Sequence, residues 1–218
     1  MQHNHSQKKG NAPSNPTRRE FISLAGSAAA STLAPWSIDS AHAQGAVAGT
    51  LKIGYISPLT GPLAGFGESD PFVLDLVRKK TGGKVVVGGK TYAFELLQRD
   101  TQSDPSRASQ LAKDLINSDK IDMMLTTSTP ETVNPVADAC EAAGMPCLST
   151  IVPWESWYFG RGAKPGQPSP FHWSFNFCFG TEQFAEMYIS TWNLIPTNKK
   201  VGVLYPNDAD GNALRAHL

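Results

Sequence analysis

The chain has 218 residues, and its 19 Lys and Arg balance its 19 Asp and Glu, so the formal charge is zero. No block of basic residues stands out, which argues against nucleic acid as a partner. Three cysteines with no CxxC or HxxxH spacing argue against zinc, and nothing in the chain suggests a cofactor.

The first 43 residues read as an export signal and not as part of a fold. Lys8, Lys9, Arg18 and Arg19 form a basic start, and Thr17-Arg18-Arg19-Glu20-Phe21-Ile22 matches the twin-arginine pattern. An ordinary secretory signal that happens to contain two arginines is the alternative. The mildly apolar run over 21–33 is loosened by Gly26, Ser27 and Ser31. It is too short to span a bilayer, which needs about 20 apolar residues. Ala41-His42-Ala43 gives a small-x-small cleavage site near Ala43, with Gln44 as the new N-terminus. These features predict a periplasmic protein with no direct membrane insertion. Setting aside four basic and two acidic residues of the signal (Glu20 and Asp39) leaves 15 basic and 17 acidic, a net charge of −2.

Residues 51–56 (LKIGYI) are an apolar run suited to a buried strand. A Gly- and Pro-rich loop follows over 57–67. Asp70-Pro71 signals a helix, with Asp70 as N-cap and Pro71 at the first helical position. Gly82-Gly83 ends it, and 92–98 (YAFELLQ) is a second strand. Asp104-Pro105 caps the clearest helix, in which Ala108, Leu111, Ala112, Leu115 and Ile116 follow i, i+3, i+4, i+7, i+8 spacing. Residues 121–125 (IDMML) form a third strand. A Ser/Thr loop over 126–129 leads to another helix through Pro130 or Asn134-Pro135, closed by Gly144. Residues 146–149 (PCLS) are a fourth strand. Alternating strands and helices predict an α/β fold with a doubly wound parallel sheet. In such sheets ligands sit beyond the carboxyl ends of the strands, where strand order reverses. The loops there are 57–67, 99–104, 126–129 and 149–154.

From 151 to 179 aromatic residues crowd among Gly and Pro, which predicts an irregular loop ending in a crossover strand over 171–179. A helix over 182–194, a strand over 200–205 and a helix opening at Asp210-Gly211 would begin a second α/β unit. The predicted layout is therefore 1–43 signal, 44–174 a first α/β unit and 175–218 crossover with the start of a second.

Several motifs fail on inspection. Residues 82–91 (GGKVVVGGKT) mimic a phosphate loop, but Lys84 stands where the first glycine is required, so a hairpin-like turn is the better reading. Residues 61–67 (GPLAGFG) are not GxGxxG. Asp100 and Asp104 resemble an acid pair, but Asp104 is explained as a helix cap. No Ser-His-Asp or Cys-His set is suggested, so the chain does not read as an enzyme. Cys140 and Cys147 are the nearest cysteines for a disulfide; Cys140 also fits as a small apolar residue on a helix face.

LKIGYISPLTGPLAG at 51–65 resembles the opening of type I periplasmic binding proteins of the branched-chain amino-acid class. LLQRDTQSDPSRASQLAKDLINSDKIDMML, STPETVNPVADACEAAGMPCLST and KKVGVLYPNDADGNALR are similar to later segments of the same family. The resemblance implies two lobes joined by hinge strands, with a small-molecule ligand clamped between them. It implies a membrane permease of an ABC transporter as partner, or alternatively a role as the sensing domain of a signalling receptor. It also implies a mature chain about twice as long, so the sequence reads as a fragment or a truncated product. Carried over by position, the resemblance places Ser128 and Thr129 after the third strand at the ligand; helix capping is the competing role for Thr129. It places Ser149, Thr150 and Ile151 after the fourth strand, with Pro153 where amino-acid binders often carry Thr. Trp154 would stand at the cleft mouth, either stacking on a ligand or packing in its own loop. Asp210 stands in the second lobe where the family commonly has Tyr. The implied ligand is an amino acid, an amide or a carboxylate.

Overall fold

The structure, a computed structural model, describes residues 47–216. The expected export signal and its cleavage near Ala43 lie outside the described residues. No helix of the described residues is long and apolar enough to cross a membrane.

Six strands form one sheet in the order β2-β3-β1-β4-β5-β6. Strand β1 (Thr50–Ser57) lies at the centre, paired in parallel with β3 (Lys90–Asp100) on one side and β4 (Met123–Thr127) on the other. Strands β5 (Cys147–Thr150) and β6 (Ser174–Phe177) continue the parallel order outward. Strand β2 (Lys84–Val87) is the exception, an antiparallel edge strand hairpinned to β3. The hairpin-like turn expected over 82–91 is present, with the strand β2 preceding it. Its turn is Gly88-Gly89, both with positive φ (55° and 75°), the backbone that a two-residue hairpin requires. The phosphate-loop lookalike is thus half hairpin and half strand.

Helix α1 (Asp70–Thr81) connects β1 to the β2–β3 hairpin, α2 (Pro105–Asn117) connects β3 to β4, and α3 (Pro130–Ala143) connects β4 to β5. The chain steps one way from β1 to β3 and the other way from β3 through β4 to β5. Right-handed crossovers then place α1 on one face and α2 and α3 on the other. Helix α2 starts as its sequence indicates: the Asp104 carboxylate accepts the Arg107 N–H at 2.6 Å. Helix α3 starts at Pro130 and carries Pro135 in its interior. The main core lies between β1, β4, β5 and helices α2 and α3. Ile56, Leu115, Met124, Val136 and Cys140 are fully buried there, with Cys147 1% exposed.

The start of α1 departs from expectation. Ser69, not Asp70, precedes the helix, and Asp70 is its first residue, 5% exposed. Its carboxyl is buried near the Ser57 and Tyr55 hydroxyls, and it makes no side-chain cap hydrogen bond. Burial pushes its pKa up, partly offset by those neighbouring hydroxyls, and burial with the Asp70 charge pushes the Tyr55 phenol up as well.

Residues 151–179 are more ordered than an irregular loop. They contain a short helix, α4 (Trp154–Tyr158), and a second cluster of Val133, Val152 and Trp157 with Tyr158 and Phe171 against it. The buried Arg161 guanidinium lies 3.9 Å from the Phe171 ring centre and 4.5 Å from that of Trp157, with Nε donating to Asp138 at 2.7 Å. The crossover strand is four residues long, shorter than the aromatic run, and helix α5 (Thr181–Trp192) follows it. The expected strand over 200–205 is absent: that stretch has no ladder partners among the described residues, and Leu204 is 97% exposed. Apolar composition alone does not make a strand when no neighbouring strand receives its hydrogen bonds. Helix α6 (Ala209–Arg215) is capped by Asp208, which accepts the Gly211 N–H at 2.8 Å.

Candidate functional site at the carboxyl rim of the sheet

All the parallel strands end on one rim, and their order reverses at β1 between β3 and β4. Loop 58–69 crosses this rim and is tied down chiefly by Asp100 at the end of β3. One Asp100 oxygen accepts the N–H groups of Leu59 (2.9 Å), Thr60 (3.2 Å) and Gln102 (2.8 Å); the other accepts the Thr60 hydroxyl at 2.6 Å. Partial burial pushes the Asp100 carboxyl up, but these hydrogen bonds outweigh it and hold the pKa below the usual range. Ser103 adds two links, donating to the Thr60 carbonyl and accepting the Leu63 N–H. Gly61 has φ 88°, and a Cβ there would stand 2.7 Å from the Ser103 Oγ, so the loop needs glycine at this point. Asp100 is therefore a loop organiser and not half of an acid pair.

The same loop is tied to the end of β4. The Ser128 hydroxyl donates to the Phe66 carbonyl at 3.2 Å, and the Ser128 N–H donates to Thr150 O at 3.3 Å. Ser128 has φ 104°, a strained conformation for a residue with a side chain, and Ile151 at the end of β5 has φ 57°. Adjacent strand ends thus carry two residues in the region that favours glycine. Thr129 is the N-cap residue of α3, yet its side chain makes no cap hydrogen bond. Its Oγ1 is buried and has no hydrogen-bond partner among the described residues. Helix capping therefore does not account for the Thr129 hydroxyl.

The rim gathers some of the expected site residues and separates others. Ser128, Thr129, Thr150 and Ile151 stand together at the ends of β4 and β5, where Thr150 donates to the Thr127 hydroxyl at 3.1 Å. Ser149 lies one residue back, fully buried. Trp154 begins α4, donates its indole N–H to Glu182 at 3.0 Å and packs edge-on to Phe159 at 5.4 Å. Asp210 is half-buried on α6; burial pushes its carboxyl up, the nearby Ser156 hydroxyl partly offsets this, and the charges of Asp208 and Glu131 add to the rise.

Sequence reasoning missed an open cavity of about 680 Å³ beside Thr150 and Ile151, lined also by Asn176, Phe177, Cys178 and Phe179. Asn176 is held by a hydrogen bond from its amide to Val152 O at 2.9 Å, and its Oδ1 is buried with no partner among the described residues.

Two carboxylates that no local pattern announces fix β6 in place. Glu141, near the end of α3, accepts the N–H groups of His172, Trp173 and Ser174 and the Ser174 hydroxyl. Burial pushes Glu141 up, but these four donors hold its pKa below the usual range. Glu155 on α4 accepts the Thr181 N–H and hydroxyl at 2.9 and 2.8 Å at the start of α5.

A family model described as periplasmic binding protein matches residues 50–218. The chain belongs to that family. Among solved structures, this periplasmic binding protein is similar to a solute-binding protein of an ABC transporter from Rhodopseudomonas palustris in complex with 3,4-dihydroxybenzoic acid. Identity is 25%, the TM-score is 0.61, and the match covers 77% of this chain and 42% of that one. A second R. palustris solute-binding protein, in complex with 4-hydroxybenzoate, is 22% identical with a TM-score of 0.58, covering 77% and 43%. A leucine-binding protein from Thermotoga maritima is 21% identical with a TM-score of 0.52, covering 66% and 37%. The fold is that of a type I periplasmic binding protein lobe, and the chain spans about two fifths of the length of these relatives. No curated protein matches the chain.

Proposed function

We propose that this chain is the ligand-binding lobe of an ABC importer's substrate-binding component, working in the periplasm with a membrane permease as its partner. Its ligand is a small organic solute bearing a carboxylate, held between this lobe and a second one. The observation that carries the reading is the β4–β5 rim. There a buried Thr129 hydroxyl lacks a partner among the described residues, and the strained Ser128 lies against Thr150. Buried polar groups are ordinarily hydrogen-bonded, so an unpartnered hydroxyl at a strand-end rim is a ready donor to a ligand oxygen.

An aromatic carboxylate fits better than an α-amino acid. The adjoining cavity is lined by Ile151, Phe177 and Phe179, and Pro153 supplies neither a hydroxyl nor an N–H. The relative at 25% identity was solved with 3,4-dihydroxybenzoic acid. Calorimetric titration of the chain with 3,4-dihydroxybenzoate, 4-hydroxybenzoate and leucine tests the reading. The benzoates should bind more tightly than leucine. Thr129→Val should weaken benzoate binding about tenfold, the loss of one hydrogen bond of about 1.4 kcal/mol. Equal, unaltered heats with the variant would remove Thr129 from the site.

A further inference from the structure

Cys140 and Cys147 meet in the main core. Cys140 lies one turn before the end of α3, and Cys147 is the first residue of β5. The turn between them is tightly fixed. Gly144 has φ 68°, and the N–H groups of Gly144 and Met145 both donate to the Cys140 carbonyl, the latter at 2.9 Å. Cys147 is then registered opposite Met124 on one side and Ser174 on the other. This geometry places both cysteines in the same core cluster, each at most 1% exposed. Cys178 lies apart, lining the rim cavity.

We infer that Cys140 and Cys147 are a disulfide-forming pair that locks the end of α3 to the start of β5 when the chain folds in the presence of a disulfide oxidant. With oxidised glutathione, the thiolate of one cysteine attacks one glutathione sulfur, forms a mixed disulfide and expels one glutathione thiolate. The other cysteine then loses its proton and attacks the sulfur of the first, completing the protein disulfide and expelling the second glutathione. The protein gives up two protons and two electrons, and the glutathione disulfide is reduced to two thiols. Because both sulfurs are buried, the step takes place while the core is still open. The folded, reduced chain should react far more slowly.

The test is to refold the whole reduced chain from denaturant with and without oxidised glutathione, then alkylate and weigh it. Cyanogen bromide cleaves after Met145 and so separates the two cysteines. After oxidative refolding the fragments should stay joined until reduced, Cys178 should be alkylated, and the thermal midpoint should fall on reduction. Cys178→Ser should still form the link and Cys140→Ser should lose it. Three alkylated cysteines after oxidative refolding, or a link through Cys178, would overturn the inference. Reaction of the folded reduced chain as fast as the unfolded one would overturn the order of events.

Discussion

The half of the molecule from β1 to β5 and the half after it are stabilised in different ways. In the first half, helix caps, apolar stripes and parallel register agree with one another, and the buried core is continuous from Ile56 through Leu115 to Val136 and Cys147. In the second half the elements are short, and large apolar side chains such as Phe175, Phe177 and Leu204 are exposed. Apart from the small cluster around Val152 and Trp157, the chain is held there by single carboxylates, Glu141 at the start of β6 and Glu155 at the start of α5. One half rests on distributed burial and the other on a few long-range hydrogen-bond anchors.

The widest contrast comes from truncating one leucine in each half. Leu115→Ala should destabilise the chain by about 3 kcal/mol, the usual cost of a fully buried leucine. Leu204→Ala should change stability by less than about 0.5 kcal/mol. Chemical denaturation of both variants checks the pair, and equal losses would break the comparison.

Glu141→Gln should come next, with a loss of about 2 kcal/mol from weakened charge-assisted hydrogen bonds. Its backbone and Ser174 donors, outweighing burial, hold its pKa below the usual carboxylate range in the folded chain. The contribution is therefore fully present above the unfolded value and fades as pH falls through the folded one. The gap between wild type and variant should narrow below about pH 4. A gap independent of pH would show that charge is not what holds β6.

Asp104→Ala should cost about 1 kcal/mol, the common worth of an N-cap. Urea midpoints at neutral pH would measure it, and a null effect would mean that α2 is positioned by packing alone.

The smallest effect belongs to Asp70→Asn and has the opposite sign. The folded-state pKa of Asp70 is raised, so the folded chain holds a proton that the unfolded chain has released, and stability falls as pH rises above about 3.8. The variant should melt slightly higher than wild type at neutral pH, with the difference closing toward about pH 3. A lower melting point at neutral pH would show that the neighbouring Tyr55 and Ser57 hydroxyls outweigh burial.

What was legible in the sequence follows the same division. The Ala108–Ala112–Leu115 stripe, the Asp104 cap and the alternation of strands and helices are local signals, and the observed elements of the first half follow them. The Gly88-Gly89 turn was legible too, although the strand beside it was not singled out. Asp70 misled because Asp-Pro is a good capping pair in isolation, while its neighbours Tyr55 and Ser57 come from β1. The roles of Glu141, Glu155 and Arg161 were invisible because each depends on residues more than twenty positions away or on a pair of ring faces. Residues 200–205 carry the composition of a strand, but a strand exists through its neighbour. At the rim, the strand-end positions of Ser128, Thr129, Thr150 and Ile151 could be located from topology. The conformation at Ser128 and the unpartnered Thr129 hydroxyl could not.

The most direct test of the central claim, that the β4–β5 rim is where this lobe meets its ligand, is an amide NMR titration with 3,4-dihydroxybenzoate. Saturable shifts should concentrate on Ser128, Thr129, Thr150 and Ile151 and extend to Asn176 and Phe177. Shifts centred elsewhere, or none at millimolar ligand, would contradict it.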